Sequence, residues 1–274
     1  MKIGITGAGG FIGNNVAKYL ADKGYKIIAF DKESERNFSH ENVEWKVIDL
    51  NHVKKEDFQG IEKLLHFAGA YNAQDAFSKN VTMLKEVLKA AHEAEIGKFY
   101  LISTYAVFGD RKTPANPNAP HQPLETYSMS KVMGEQEFNN FVSSGKIKGV
   151  IIRPCSLYGK YGKNFVDVIK DRMKNQEEIQ MVKFKNQFLH VDDFSKEIEK
   201  IITLENSEPS YNIEGEIITE EVLSEIFEKL GLKYSIKDMQ HRSYWCEGNK
   251  PEMQHNVLNY LEEYQKELEN QDAI

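Results

Sequence analysis

The chain has 274 residues, of which 41% are hydrophobic and 28% charged, and a formal net charge of −7. This composition excludes disorder over most of the length, and the acidic balance argues against a general nucleic-acid binder. Cys155 and Cys246 lie far apart, so we expect neither a disulfide scaffold nor a metal site. A strand pattern from Lys2 and apolar runs far shorter than the roughly 20 residues of a membrane helix predict a cytoplasmic protein.

A strand, a glycine-rich turn and a helix are predicted first. Residues 2–6 have the pattern of a strand, GAGGFIG follows at 7–13, and helical spacing over 14–23 ends before Gly24. A second strand is predicted over 26–31. Such a unit of about 30 residues is typical of parallel strands joined by a right-handed crossover.

Strands and helices continue to alternate up to residue 153. Further strands are predicted over 43–49, 63–67, 98–102 and 148–153, with helices over 75–94 and 127–144. Six short strands separated by helices indicate an α/β fold with a doubly wound parallel sheet of the Rossmann type. The proline-rich segment 110–123, which we call the rim loop, is predicted to border the active site.

The pattern changes after residue 153 and predicts a second, smaller unit. Helices are predicted over 165–174, 192–204, 220–230 and 254–268, and short strands over 178–182 and 187–191. We assign residues 1–155 to the Rossmann domain, with 184–204 returning to it. Residues 156–183 and 205–274 are assigned to a C-terminal substrate lobe.

The glycine-rich turn predicts a dinucleotide site. A tight turn, close approach of the backbone to a pyrophosphate and packing of helix on strand each need a glycine. The helix N-terminus then offers unpaired N–H groups to the phosphates. Asp31 ends the second strand, where a carboxylate would bind the adenosine ribose and repel a ribose phosphate, so we expect NAD. Lys32 and Arg36 lie close enough in the sequence to keep NADP open.

Tyr127 and Lys131 predict the reaction chemistry. They are four residues apart near the start of a helix, so both project from one face, about 6 Å apart along its axis. A neighbouring ammonium lowers the pKa of a tyrosine from its usual value near 10. The tyrosine can then take a proton from a substrate hydroxyl while hydride leaves for a nicotinamide. Thr104, at the carboxyl end of a strand, is placed to bind that hydroxyl.

With these motifs the chain resembles extended short-chain dehydrogenases of the NAD-dependent epimerase/dehydratase family. The resemblance covers residues 1 to about 200, in the order and spacing of the family. The matching segments are TGAGGFIG (6–13), Asp31, DL (49–50), HFAGA (66–70), NV (80–81), STYAVFG (103–109), YSMSK (127–131), RPCSLYG (153–159) and HVDD (190–193).

The resemblance implies roles for individual residues. Thr104, Tyr127 and Lys131 would be catalytic, with Ser103 as the alternative hydroxyl and His190 as a structural residue. The implied cofactor-binding residues are Gly7, Gly10, Phe11, Ile12, Gly13, Asp31, Lys32, Asp49, Leu50, Phe67, Ala68, Gly69, Asn80 and Pro154. The implied substrate-binding residues are Ser156, Asn164 and Phe165. A homodimer through the helices 75–94 and 127–144 is also implied.

Three departures from the family pattern narrow the range of reactions that we expect. Tyr105 and Ala106 stand where sugar dehydratases carry an acidic pair, which disfavours dehydration. Ser156 stands where many nucleotide-sugar 4-epimerases have asparagine. Asn186 stands where an arginine would grip the substrate diphosphate as a bidentate fork. The candidates to replace that charge are Lys183, Lys185 and Arg242.

Three hypotheses for function follow. The first is an NAD(P)-dependent enzyme that epimerises a sugar carbon, on a nucleotide sugar. The second is a 4-ketoreductase that uses NADPH, favoured by YGKYGKNFV at 158–166 and by the short C-terminal region. The third is an NAD(P)-binding sensor without turnover, and it is disfavoured because Tyr127 and Lys131 are both present.

Overall fold

The computed structural model describes residues 1–33, 38–240 and 242–272, so Arg36 lies outside the described residues. The strands are β1 (Lys2–Thr6), β2 (Lys26–Asp31), β3 (Val43–Val47), β4 (Lys63–His66), β5 (Lys98–Ile102), β6 (Gly149–Pro154), β7 (Ser156–Tyr158), β8 (Ile179–Lys183), β9 (Lys185–His190), β10 (Ser210–Ile213), β11 (Glu216–Thr219) and β12 (Tyr234–Gln240). The α-helices are α1 (Phe11–Asp22), α2 (Leu84–Glu93), α3 (Thr126–Ser143), α4 (Phe165–Lys174), α5 (Val191–Thr203), α6 (Glu220–Lys229) and α7 (Val257–Asp272).

A seven-stranded parallel sheet forms the larger part of the molecule. Its order is β10-β6-β5-β4-β1-β2-β3, so the direction of strand addition reverses between β1 and β4. This order confirms the predicted doubly wound Rossmann sheet, in which ligands collect at the carboxyl ends of the strands beside the reversal.

The seventh strand was not predicted from the sequence. β10 has the sequence SYNI, in which polar and apolar residues alternate over only four positions, and it pairs with β6 at the edge of the large sheet. Residues 210–213 therefore lie in this sheet, within the segment that the sequence assigned to the substrate lobe. A strand this short is defined by its pairing partner more than by its own residues.

Both faces of the large sheet are covered by helices. One apolar cluster joins the sheet to α1 and α5, through residues such as Ile5, Leu20 and Phe194. Another joins the opposite face to α2 and α3, through Phe99 and Phe138. Burial on both faces explains why the central strands are continuously apolar. Among the described residues, none of the helices combines the length and apolar character that crossing a lipid bilayer requires.

Three predicted helices differ from the structure at their starts, among them α7, which begins at Val257 instead of residue 254. α1 begins at Phe11, three residues before the predicted start, because Gly10 is its N-cap. The helix predicted over 75–94 is instead a π-helical turn, Ser78–Met83, followed by α2. π-helical turns are frequent at functional sites. This one carries the buried side chain of Asn80.

The remaining elements form a smaller layer beside β6. β7, β9 and β11 make a three-stranded sheet, and β8 pairs with β12. A separate apolar cluster packs these strands against α4, α6 and α7, with Phe188, Phe227 and Leu261 buried in it.

Candidate active site

The glycine turn between β1 and α1 is closely packed. Gly7 has φ +69°, and a Cβ there would lie 2.7 Å from the backbone nitrogen of Ala68. A Cβ at Gly13 would lie 2.3 Å from the carbonyl oxygen of Gly7. Gly10 caps α1 without a side-chain hydrogen bond. The turn therefore brings bare backbone and the start of a helix to one surface, as binding of a pyrophosphate requires.

A cavity of about 330 Å³ adjoins this turn, and we call it the cofactor cavity. Most of the predicted cofactor residues line it, namely Gly7, Gly10, Asp31, Lys32, Asp49, Leu50, Phe67, Ala68 and Gly69. Gly9, Glu33, Ile48, Lys79 and Met83 also line it and were missed by the sequence analysis. Lys79 could have been found from the sequence, because it directly precedes Asn80 of a family motif. The residues present fit a dinucleotide.

Asp31 is held in place at the end of β2. Its Oδ2 accepts a hydrogen bond from the backbone N–H of Gly9 at 2.8 Å, and its Oδ1 accepts from that of Glu33 at 3.3 Å. The carboxylate thus lies beside the glycine turn on the wall of the cofactor cavity. The exposed amine of Lys32 pairs with the carboxylate of Glu33 at 3.3 Å. A ribose phosphate of NADP would need this amine, so the ion pair disfavours NADP.

Five predicted cofactor residues do not line the cavity, namely Phe11, Ile12, Gly13, Asn80 and Pro154. Phe11 and Ile12 form the first turn of α1 and pack against the sheet core. Pro154 is the buried last residue of β6. Asn80 fixes the loop after β4: its Oδ1 accepts from the N–H of Ala70 at 3.0 Å, and its Nδ2 donates to the Ala70 carbonyl at 2.9 Å.

Thr104, Tyr127 and Lys131 come together at the carboxyl end of β5. Thr104 follows that strand, and its Oγ1 accepts from the N–H of Ala106 at 3.2 Å. The side chain of Thr104 neighbours the phenol of Tyr127 and acts to lower its pKa. Lys131, one turn further along α3, donates from Nζ to the carbonyl of Ile102 at 2.6 Å. The proposed acid–base group and its hydroxyl partner are therefore neighbours at this strand end.

The pKa of Tyr127 differs from the sequence-based expectation. Burial raises it to about 12, although the side chain of Thr104 acts in the opposite direction. Burial also lowers the pKa of Lys131 to about 8, against the influence of Glu135, which raises it. The expectation that Lys131 lowers the tyrosine pKa is therefore wrong for this structure. The physical reason is withdrawal of both groups from water, with the amine bound to the Ile102 carbonyl.

Ser103 and His66 complete the floor of this region. Ser103 Oγ is buried and has no hydrogen-bond partner within the described residues, whereas the neighbouring Thr104 acts on the phenol of Tyr127 and lowers its pKa. This supports Thr104 as the reactive hydroxyl. His66 Nδ1 lies 2.8 Å from Thr6 Oγ1. Burial, assisted by the charge of Lys131, lowers the pKa of His66 to about 3, so the ring is neutral.

The three predicted substrate residues are not brought together. Ser156 Oγ lies 2.9 Å from the hydroxyl of Tyr105. Asn164 is the N-cap of α4, accepting from Val166 and Asp167, and its amide donates to the Leu157 carbonyl. Phe165 packs against Phe184, and it lines a different cavity, of about 480 Å³, formed by α4 and β8.

Of the three candidate replacements for the missing arginine, Arg242 pairs with the N-cap residue of α3. It pairs with Glu125 at 2.6 Å, two residues before Tyr127, and it is also bonded to Tyr244. Lys183 pairs with Asp238 at 2.8 Å, and Lys185 Nζ lies 3.8 Å from the ring centroid of Trp245. Asn186 itself accepts from the N–H of Tyr244 at 2.9 Å.

Residues 242–249, which we call the strap, connect the rim loop to the smaller layer. Trp245 Nε1 donates to the carbonyl of Arg111 at 3.0 Å, and the N–H of Ala115 donates to the Trp245 carbonyl at 3.3 Å. The N–H of Cys246 donates to Gln187 Oε1 in β9 at 2.9 Å. The sequence carried no motif here, so this element was missed.

A second anchor of the rim loop is a buried ion pair. Arg153 forms a bidentate pair with Glu135 of α3, at 2.8 and 2.7 Å, and donates to the carbonyl of Pro117 at 3.2 Å. His121 Nε2 lies 3.3 Å from the same carboxylate. Bidentate geometry of this kind fixes orientation as well as contact.

His190 is the N-cap of α5, as the structural role predicted for it requires. Its Nδ1 accepts from the N–H of Asp192 at 3.3 Å, and its ring stacks on His255 with centroids 4.2 Å apart. His190, Asp192 and His255 bring potential metal ligands together in the described residues. The capping bond already uses one His190 nitrogen, and His255 Nδ1 lies 3.1 Å from Asp193 Oδ2.

Residues 3–213 match the family described as the NAD dependent epimerase/dehydratase family. The chain belongs to this family. The match contains the glycine turn, the cofactor cavity and the Thr104–Tyr127–Lys131 group, and it confirms the resemblance drawn from the sequence motifs.

Several proteins similar in sequence to this chain are named as enzymes that act on sugars. The chain is 26% identical over 187 residues to the uncharacterized UDP-glucose epimerase YtcB of Bacillus subtilis, covering 58% of this chain and 57% of that protein. It is 34% identical over 151 residues to a dTDP-6-deoxy-L-talose 4-dehydrogenase (NAD(+)) of Aggregatibacter actinomycetemcomitans, covering 52% and 56%. The chain thus spans little more than half of these relatives. Spore coat polysaccharide biosynthesis protein SpsK of B. subtilis is 26% identical over 94% of this chain and 89% of its own.

Solved structures share the whole fold. The UDP-glucuronic acid 4-epimerase of Bacillus cereus, solved with UDP-glucuronic acid and NAD, has a TM-score of 0.85 at 17% identity, over 98% of this chain and 99% of its own. DesIV, a dTDP-glucose 4,6-dehydratase of Streptomyces venezuelae, reaches 0.86 at 17% identity, over 97% and 96%. An epimerase and a dehydratase match equally well, so the fold alone does not distinguish the reactions.

Proposed function

We propose that this chain is an NAD-dependent enzyme that epimerises a hydroxyl-bearing carbon of a nucleotide sugar. The observation that carries the proposal is the grouping of Thr104, Tyr127 and Lys131 at the carboxyl end of β5, beside a cavity whose glycine turn fits a pyrophosphate. The proposed catalytic residues are these three, and the proposed cofactor residues are those that line the cofactor cavity.

Tyr127 is the acid–base group of the proposed reaction. The chemistry that NAD supplies when bound is acceptance and return of a hydride. Tyr127 takes the proton of the sugar hydroxyl and later returns it, and Thr104 holds that oxygen by a hydrogen bond. Formation of the phenolate is favoured when the charge of Lys131 lies closer to the phenol oxygen than to the Ile102 carbonyl. Return of the proton needs the protonated phenol that the raised pKa favours.

Elimination of water is not supported by the residues after Thr104. Dehydration would need an acid positioned on the substrate. Tyr105 is instead buried with its hydroxyl against Ser156, and burial raises its pKa well above the usual value. Ala106 carries no ionisable group. This supports epimerisation or reduction rather than dehydration.

The proposal of a nucleotide-sugar substrate is supported by the names of the relatives and by one positively charged side chain, that of Arg242. Two of the relatives named above carry the names of a UDP-glucose epimerase and of a dehydrogenase of a dTDP-linked sugar. Arg242 lies on the strap near the start of α3, and its fork can bind a diphosphate if it leaves Glu125. We further propose a location for the sugar, between the carboxyl ends of the large sheet and the smaller layer.

A 4-ketoreductase is the second candidate. It is favoured by the relative with 34% identity, a 4-dehydrogenase, and by a dTDP-4-dehydrorhamnose reductase that is 28% identical over 63% of this chain. The same Tyr127 would then only donate its proton.

The deciding experiment supplies UDP-glucose or a 4-keto nucleotide sugar with NAD or NADPH. Formation of the C4 epimer with no net change in nicotinamide absorbance supports epimerisation. Consumption of NADPH with the keto sugar supports reduction instead. Cofactor binding without any turnover over a panel of UDP- and dTDP-sugars would leave the sensor hypothesis and contradict both proposals.

A further inference from the structure

Tyr71 is a large aromatic residue left in solvent beside the catalytic tyrosine. Its relative exposure is 76%, the largest among the exposed large hydrophobic residues of the described chain. Its ring centroid lies 4.8 Å from that of Tyr127, with the two planes tilted by 49°. Packing in the core does not account for an aromatic side chain in this position.

The backbone before Tyr71 is fixed relative to Tyr127. Asn80 binds both backbone groups of Ala70, and its Nδ2 also donates to Ser130 Oγ at 2.9 Å. Ser130 Oγ in turn donates to the carbonyl of Tyr127 at 2.6 Å. This chain of hydrogen bonds joins the residue before Tyr71 to Tyr127 itself. The backbone that leads into Tyr71 is therefore fixed relative to the helix that carries the phenol.

The position of the ring limits what it can contact. Gly69, two residues earlier, lines the cofactor cavity, and Tyr127 presents the reactive oxygen. A substrate whose hydroxyl meets that oxygen has its reacting ring within a few ångströms of Tyr71, whereas a nucleotide further from the reacting carbon does not. Sugar rings present apolar C–H faces, and an aromatic face that covers one removes apolar surface from water at little cost in conformational entropy.

We propose that Tyr71 stacks on the sugar ring of the nucleotide sugar and so selects the sugar part of the substrate. The inference rests on the proposed function, because it takes a sugar to be the group that reaches Tyr127. The contact requires the aromatic ring of Tyr71 and not its hydroxyl.

Binding of UDP-glucose and of UDP, measured by titration calorimetry with NAD present, tests this inference. UDP lacks the sugar and is the matched ligand. Tyr71→Ala should weaken UDP-glucose by about three- to tenfold, the range of a lost aromatic contact, and leave UDP unchanged. Tyr71→Phe should keep both affinities within about twofold. Met239→Ala, which removes an exposed apolar side chain from β12, is the control for surface substitution and should change neither.

Two results would overturn the inference in different ways. If UDP-glucose binds the wild type and Tyr71→Ala leaves its affinity unchanged, or weakens UDP equally, the stacking role is wrong while the proposed function stands. If neither ligand binds the wild type and no dTDP-linked pair replaces them, the nucleotide-sugar proposal is wrong, and the role of Tyr71 is wrong with it.

Discussion

Replacing Lys131 by methionine should make the protein without cofactor more stable at neutral pH. Burial lowers the pKa of Lys131 from 10.5 to about 8. A lowered lysine pKa means that folding disfavours the charged form, by about 3 kcal/mol for a shift of this size. Methionine removes that cost. It also removes the hydrogen bond to the Ile102 carbonyl, and the loss of this bond offsets about 1–2 kcal/mol of the gain. We expect a net gain of about 1–2 kcal/mol in the free energy of unfolding at pH 7.

The pH dependence of this gain is the decisive measurement. Below about pH 8 both states of the wild type hold the proton and the cost is fully present. Between pH 8 and 10.5 the unfolded chain binds more protons than the folded one, so wild-type stability rises relative to the variant. Urea unfolding at pH 7 and pH 10 should show the variant's advantage falling by about 2 kcal/mol. Lys18→Met, which removes an exposed amine from α1, controls for loss of a charge in general. An advantage of equal size at both pH values would refute the reasoning.

Three further predictions concern the reaction, the cofactor and assembly. Tyr127→Phe should lower turnover at least about 100-fold, as loss of a general acid–base group does, with NAD affinity measured by fluorescence titration unchanged; retained turnover would contradict the mechanism. Asp31→Ala should weaken NAD about tenfold, the loss of a charge-assisted hydrogen bond, and NADP less; equal weakening in calorimetry would remove the proposed role of Asp31. We also propose a homodimer through the α2–α3 face, where Phe77, Met129 and Met133 are exposed. Met133→Glu should then shift the species seen by light scattering from dimer to monomer, and an unchanged mass would exclude this face.

The parts of the site that follow from local sequence were predictable. The glycine turn needs its residue types within a few positions of one another, and Gly7 and Gly13 show steric reasons for that need. Tyr127 and Lys131 share a helix, so their spacing alone puts them on one face. The parallel, doubly wound character of the large sheet also follows from the regular alternation of strands and helices.

The parts that depend on distant contacts were not predictable. The raised pKa of Tyr127 comes from burial, which no spacing within α3 encodes. β10 becomes a strand through its pairing with β6, and the strap has its partners in the rim loop and β9, more than 50 residues away. Asn164 matches the family motif, but its side chain is used to cap α4.

The strap has a mechanical consequence for how substrate enters and leaves. Its hydrogen bonds reach Arg111 and Ala115 on one side and Gln187 on the other. Any outward displacement of the β9 layer would therefore pull on the rim loop at the same time, while the Arg153–Glu135 pair resists that pull from within. The rim loop and the β9 layer would therefore move together in one concerted step, and not independently of each other.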